Sequence, residues 1–582
     1  MDLCKTTASF LVLLSSPALA YDATKAPRNV SSDMDRTIIN GPSSSGPVDG
    51  MSVTPAGGAE TRTLSGWLGD LSGALTYVPT LGAKLTLAQW LEVPARPQWW
   101  NAKCDGATLD TTAMRKAVTG SAAAGLTLRV TGTCLTGMID VPSNARIVSE
   151  QAGTLKLSTP IGPLLRIAAG ANGVVIRGMT FDATSLDAAD VDAAGNRGLP
   201  GAVIYQTPGI GGGTIRIVDN RFLDIYEKTQ SISAIILNGA ISYVTGNYVA
   251  GTGGDALNFN GGFNHVSGNV VARSGDGCIA FNNGARGVVT GNTLMKCELG
   301  FGAGPEGSAF DADQAQSMVF ANNTVEASDY GVNMGWFRVA GRTSPVNWVV
   351  ANNVFRNIRS VAINYDGHAA GFAANGAVTG NVIWRTGAAT YNGTKAATPV
   401  DIRIVNGGGV TVSSNTLRDS LGTGRAGGIF AQGSPNIAIT GNSIAQSGAN
   451  QYDSGIFIYD TQYSAVSGNV INGALIGIKL DQSALADYVS TITGNTLLTI
   501  LYAGVSVGGA GGSFNINGNT MISVGPGTPT AGVVIDKANN DFSVQNNLIR
   551  WRSGVAISNP AGRTWARYLV GGNNTGGGTV PN

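Results

Sequence analysis

Three carboxylates stand at matching places in the chain: Asp255 in G-T-G-G-D-A-L-N-F-N, Asp276 in R-S-G-D-G-C-I-A-F-N-N-G and Glu298 in M-K-C-E-L-G-F-G. Each lies near the start of a short apolar run that reads as a strand. Two carboxyl groups are enough to cleave a glycosidic bond, one protonated as acid and the other ionised as base or nucleophile, and their separation selects the outcome. On successive strands about 4.8 Å apart, Asp255 and Asp276 would stand roughly 5 Å from each other, suited to a shared proton or to retention. Asp255 and Glu298, two strands apart, would stand nearer 9 to 10 Å, about the inverting limit. Close like charges also keep one member of a pair protonated. Lys296, Arg338, Asn258 and Asn282 are the substrate-binding residues expected around them. The plainer reading of all three acids is that Asp or Glu beside Gly shapes turns.

Other chemistries have fewer parts to draw on. β-Elimination needs a cation to neutralise a uronate and a base for its α-proton. Arg273, Lys296, Tyr330, Arg338, Tyr365 and His368 are present without diagnostic spacing. His265 and His368 are the only two histidines, which leaves little for a zinc site or a Ser-His-Asp triad. Asp366-Gly367-His368 is read as an ordinary loop and His265 as structural. Asp311 and Asp313 form a D-x-D that suits calcium, but two acids fall short of its six to eight oxygens. No metal or other cofactor is therefore expected, with calcium the one ion left open. Trp336, Phe337 and Tyr459 offer rings for stacking on sugars or for packing a loop.

Composition narrows the class. The chain has 582 residues, 83 of them Gly, and only 13% charged, against about 25% charged in an average protein. That balance excludes coiled coils and helical bundles. A formal net charge of +1 gives no basic surface of the kind nucleic acid requires. No apolar stretch of about 20 residues marks a membrane span in the mature chain.

The elements that must hold the acids are set by a repeat. V-T-G-N-Y-V, V-S-G-N-V-V, V-T-G-N-T-L, V-A-N-N-V-F, I-T-G-N-S-I and their relatives recur from residue 140 onward, and the second turn residue is always Asn. Thirteen such residues run from Asn220 to Asn547 at intervals of 22 to 34, a solenoid period. A sharp bend needs a left-handed backbone, which Gly adopts freely and Asn tolerates, and stacked side-chain amides can bond along the axis. Alternation such as Ile279-x-Phe281 and Val332-x-Met334 turns one side of each strand inward. The fold expected is all-β, a right-handed single-stranded parallel β-helix over residues 101–582. Its twelve intervals between Asn corners make a rod segment on the order of 58 Å.

The thirteen Asn turns resemble the pectate-lyase-like β-helix superfamily. N-A-K-C-D-G-A-T-L-D-T-T-A, following R-T-L-S-G-W-L, is similar to the entrance of the β-helix in phage tailspike depolymerases. That likeness implies an extended glycan as target and a homotrimer. The stretch Asp276-Gly277-Cys278-Ile279-Ala280-Phe281, followed by Cys297 and Gly300-Phe301-Gly302, resembles polygalacturonase-type glycoside hydrolases. The resemblance implies Asp276 as general acid, Asp255 as an upstream base, and a disulfide between Cys278 and Cys297. Gly277 stands where those enzymes carry a second Asp, and Phe301 where they carry His. By position alone, Cys278 and Cys297 fall on successive turns, near enough to bridge where their Cβ vectors agree. Cys104 and Cys134 flank the entrance helix and first strand and are placed to pin the cap.

Toward the N-terminus, residues 1–20 combine one Lys, an apolar run from Phe10 to Leu14 and Ala18-Leu19-Ala20, the pattern of a secretory signal peptide. Export places the remaining cysteines in an oxidising compartment. Residues 21–62 read as a linker. Residues 63–100 read as a short helical neck, with Leu64, Trp67, Leu68, Leu71 and Leu75 on one stripe and a second helix after Thr86. Asp110 is placed to cap a helix through about Val118. The function expected is that of a secreted polysaccharide-cleaving enzyme acting on an extracellular polysaccharide, an acidic one by expectation, with hydrolysis slightly ahead of elimination or C5 epimerisation. A non-catalytic glycan-binding adhesin is the alternative of another class.

Overall fold

In the computed structural model the chain divides into two units, residues 1–93 and 94–582. The structure describes residues 94–576 except 152, 161, 187–200, 210–212, 226–231, 305–316, 336–345, 368–373, 388–398, 421–426, 448–451, 483–487, 510–511, 524–530, 537–539, 552–554, 559–566 and 573, together with four short strands before residue 94. Within the first unit Ser52–Val53 pairs antiparallel with Arg62–Thr63, and Leu75–Val78 with Ala83–Thr86. The stretch expected to be a structureless linker thus ends in a strand pair. Leu75 and Leu85, expected on helices, lie in strands. The rest of both neck helices, and the signal segment, lie outside the described residues.

The second unit is a coil of three parallel sheets in which each strand between the ends pairs with its equivalents one lap before and one lap after. In each lap from Asn220 onward a strand of the first sheet, such as Phe263–Ser267, reaches the Asn corner. A two- or three-residue strand of the second sheet follows, here Val270–Val271, and then one of the third, Gly277–Asn282. The third sheet has sixteen strands, from Ile139–Val141 to Val555–Ser558. This is the right-handed parallel β-helix expected from the repeat.

The core is a set of vertical ladders. On the third sheet Leu257, Ile279, Phe301, Val332, Ile363 and Ile402 face one another in register, all with no exposed surface. Phe259, Phe281, Phe301, Phe320 and Phe355 continue the stacking across sheets, with ring centroids 5.1 to 6.5 Å apart. Burial of each such ring contributes about 1.5–3 kcal/mol.

The corners divide their labour between two residues. The left-handed backbone falls on the first, for example Gly246, Gly268, Asn322, Ser414 or Asp219, with φ between 55° and 68°. The invariant Asn after it is kept for bonding. Asn269 accepts both the backbone N–H and the side-chain amide of Asn247 at 2.9 Å, and passes the same pair of bonds to Asn292 at 2.9 Å. Its amide also donates to the Val244 carbonyl at 2.9 Å. The column is unbroken from Asn220 to Asn547, and no member is more than 2% exposed.

The N-terminal end is closed by the helix Thr111–Ala123, which buries Met114, Ala117, Val118, Ser121 and Ala122. Asp110 is its N-cap by position, yet its side chain makes no cap hydrogen bond. The carboxylate instead accepts the N–H groups of Lys103 and Cys104, both at 2.8 Å. Cys104 is disulfide-bonded to Cys134 as expected, so the chain entering the coil is held by a covalent and a hydrogen-bonded tie at one point. With both sulfurs used, the Cys104, Asp110 and Cys134 group has no thiolate to offer a metal.

Candidate active site

The register of the third sheet decides which acids share a row. Gly277 pairs with Leu299 and Leu299 with Tyr330, so the residues just before them, Asp276, Glu298 and Asp329, fall opposite one another. Backbone bonds agree: Leu299 N–H donates to Asp276 O at 3.3 Å, and Tyr330 N–H to Glu298 O at 2.9 Å. Asp276 is exposed, Glu298 half-buried, and Asp329 1% exposed. Adjacent strands thus carry three carboxylates at a repeat of about 4.8 Å. Asp329 leans on Arg359, Oδ2 to Nη1 3.7 Å.

Asp255 stands one residue out of this row. It reaches across to the next lap, where its Oδ1 accepts Gly277 N–H at 2.8 Å, while its Oδ2 accepts the Asn258 amide at 2.9 Å. Its carboxylate is therefore beside Asp276 without being opposite it, and the equal spacing expected for Asp255, Asp276 and Glu298 does not hold. Asn258 in turn accepts the Asn282 amide at 3.4 Å. Asp255, Asn258 and Asn282 form one polar chain along the outer face of the sheet. Lys296 is exposed at the corner two residues before Glu298. Arg338, Trp336, Phe337, His368, Asp311 and Asp313 lie outside the described residues.

Both departures from the polygalacturonase pattern have a physical cause. A Cβ on Gly277 would stand 2.5 Å from Asp255 Oδ1, so the place of a second Asp is taken by the neighbouring carboxylate. Phe301 is fully buried between Phe281 and Phe320, and a histidine there would face the core. The Cys278–Cys297 disulfide is present. It joins the strand of Asp276 to the corner before Glu298 and fixes those two laps against each other. Ser274 tightens the preceding turn, its hydroxyl donating to Gly254 O at 2.6 Å or Gly277 O at 2.9 Å.

Asp329 and Arg359 were not picked out by sequence. The signal for Asp329 is a count: Asp276, Glu298 and Asp329 each stand three residues before an inward ladder residue, Ile279, Phe301 and Val332, whereas Asp255 stands two before Leu257. His265, read from sequence as structural, stacks on Tyr243 with ring centroids 4.8 Å apart.

Residues 382–549 match the family model described as "Right handed beta helix region". No curated protein matches the chain. Among solved structures, the pre-mature gene product 12 of bacteriophage phi29 is 13% identical, with 83% of this chain and 73% of that one covered and a TM-score of 0.43. The A-module of an Azotobacter vinelandii mannuronan C-5 epimerase is 14% identical, covering 84% and 100%, TM-score 0.27. A family 28 exopolygalacturonase of Yersinia enterocolitica is 12% identical, covering 84% and 79%, TM-score 0.30. By its own strand pairing, and by the family match within it, the chain is a right-handed parallel β-helix protein.

Proposed function

We propose that the chain is a secreted enzyme that cleaves an extracellular polysaccharide by carboxylate-assisted hydrolysis, with Asp276 and Glu298 as the reacting pair. The observation that carries this reading is their register: opposite positions on adjacent strands, clamped by the Cys278–Cys297 disulfide. The strand repeat of about 4.8 Å is close to the 5–5.5 Å carboxyl separation of retaining glycosidases. Asp276, the exposed member, is assigned the acid that protonates the leaving oxygen; Glu298 is assigned the nucleophile. Asp255 and its chain to Asn258 and Asn282 are assigned the binding of sugar hydroxyls, and Lys296 a place at the rim. Disulfides suit an oxidising compartment, which supports export, and among the described residues no helix is long and apolar enough to cross a membrane. The reaction needs no cofactor. The trimer implied by the tailspike likeness belongs to the same proposal and is checked by light scattering of the purified protein.

The test is incubation with acidic and neutral exopolysaccharides, following reducing ends, polymer size and the ultraviolet absorbance of unsaturated sugars together. Reducing ends without absorbance are expected. Absorbance would replace hydrolysis by elimination, altered stereochemistry at constant length would point to epimerisation, and an inert polymer would leave an adhesin.

A further inference from the structure

Well beyond the acid row, the outer face of the third sheet carries a second cluster with no part in the reaction above. Arg403, Phe430, Phe457 and Lys479 are in register on four successive strands. Gln432, Tyr459 and Asp481 form the parallel row two residues further on. Phe457 is 7% exposed and sits between two half-buried rings, Phe430 at 5.4 Å and Tyr459 at 6.1 Å. Lys479 Nζ lies 4.5 Å over the Phe457 ring and 3.8 Å from Asp481 Oδ2. At the other edge Arg403 Nη1 donates to Asn364 Oδ1 at 2.8 Å and lies 3.6 Å from Asp366 Oδ2.

We infer that this cluster is a second glycan-binding site, in which Phe430 and Tyr459 receive the C–H face of a pyranose and the Lys479–Asp481 and Arg403–Asp366 pairs hold its hydroxyls. A pyranose has an apolar face and a polar rim, and an amphipathic ring flanked by fixed donors and acceptors matches both. Phe457 supports the two outer rings from behind. Each cation of the cluster lies within ion-pair reach of an acid, so recognition reads hydroxyl groups, not net charge, and is insensitive to salt. Asn258 and Arg403 share one outward row, five strand spacings or about 24 Å apart, so one polymer lying along the sheet spans both sites. The inference rests on the proposed reading only for the chemical class of the ligand.

The experiment is affinity gel electrophoresis of the full chain through dextran, xylan and galactomannan, at low and high salt. Wild type and Asp276→Asn are compared with the double variant Phe430→Ala/Tyr459→Ala and with Asp481→Asn, all checked by thermal melting. At least one glycan is expected to retard wild type and Asp276→Asn equally at both salt levels. The double variant is expected to bind about tenfold more weakly, and Asp481→Asn, which keeps the rings, more weakly than wild type. Should the double variant melt early, Asp481→Asn decides the matter alone. No retardation by any of the three glycans, retardation abolished by salt, or well-folded variants that bind as wild type would each overturn the inference. A wild-type chain that binds without cutting removes the depolymerase reading and leaves this site standing; one that cuts while the variants bind unchanged does the reverse.

Discussion

Asp276 and Glu298 stand one residue before the paired Gly277 and Leu299, and the Asp276 carbonyl accepts the Glu298 N–H at 3.0 Å, which sets the two acids side by side on successive laps. Asp276→Asn should lower depolymerisation by about 10²- to 10⁴-fold, the usual worth of a positioned acid, and Glu298→Gln, which removes the nucleophile, by at least about as much. Neither side chain is in the core, so melting temperatures should stay within a few degrees of wild type. Retained activity in both variants removes the pair from the mechanism.

The disulfide beside them gives a separate test. Its partners are 19 residues apart, and closing a loop of that size stabilises by about 3 kcal/mol in the chain-entropy model. Cys278→Ser/Cys297→Ser should therefore lower the urea midpoint and reduce turnover more than substrate affinity. An unchanged kcat would mean that the strands hold the acids unaided.

Within the corner column, Asn442→Ala strands two donors of Asn415 and removes the side-chain amide bonds to Asn469 and to the Val412 carbonyl, while the backbone N–H bond to Asn469 stays. Each buried polar group left unmade costs about 1–3 kcal/mol, so a loss of at least about 3 kcal/mol is expected in equilibrium unfolding. A loss below about 1 kcal/mol would show that water replaces the amide.

Far from the acids, Asp401 is wholly buried with the Tyr452 hydroxyl donating to its Oδ2 at 2.8 Å. Burial pushes its carboxyl up to about 7, against the opposing Thr386 and Tyr452 hydroxyls. The folded state holds that proton more tightly than the unfolded chain, whose carboxyl titrates near 3.9. The stabilisation is complete below about pH 4 and is lost as pH rises through about 7, on the order of 4 kcal/mol over the whole window. Asp401→Asn should flatten this part of the stability profile, leaving the variant equal to wild type near pH 4 and more stable near pH 8. Identical profiles for the two proteins would refute the assignment.

Chelation supplies a further check. With no metal in the proposed reaction, EDTA should leave depolymerisation and melting unchanged; calcium-dependent recovery would return attention to Asp311 and Asp313.

The coil was legible in the sequence because its rule is local: an Asn after a left-handed residue, flanked by alternating apolar positions, is readable one lap at a time. The row of acids was less so. Register across laps depends on counting from the inward residue, and Asp255, with two residues before Leu257 instead of three, falls out of line by that single position. Asp329 was hidden for the opposite reason, since A-S-D-Y-G carries no Gly-Asp-Gly or Cys to mark it. The Asn258–Asp255 bond and the Lys479–Phe457 contact join outward side chains of the same sheet, contacts that alternation along a strand permits without specifying.

The amide column keeps the same bonds whether consecutive corners are separated by 22 residues, as Asn247 and Asn269 are, or by 34, as Asn381 and Asn415 are. Differences in segment length are thus absorbed away from the corners, and doubling a flexible loop adds only about 0.6 kcal/mol of closure entropy. A scaffold of this kind can change its surface by insertion while its interior stays frozen, so new specificities can be grafted onto it lap by lap without the rest of the rod having to adapt.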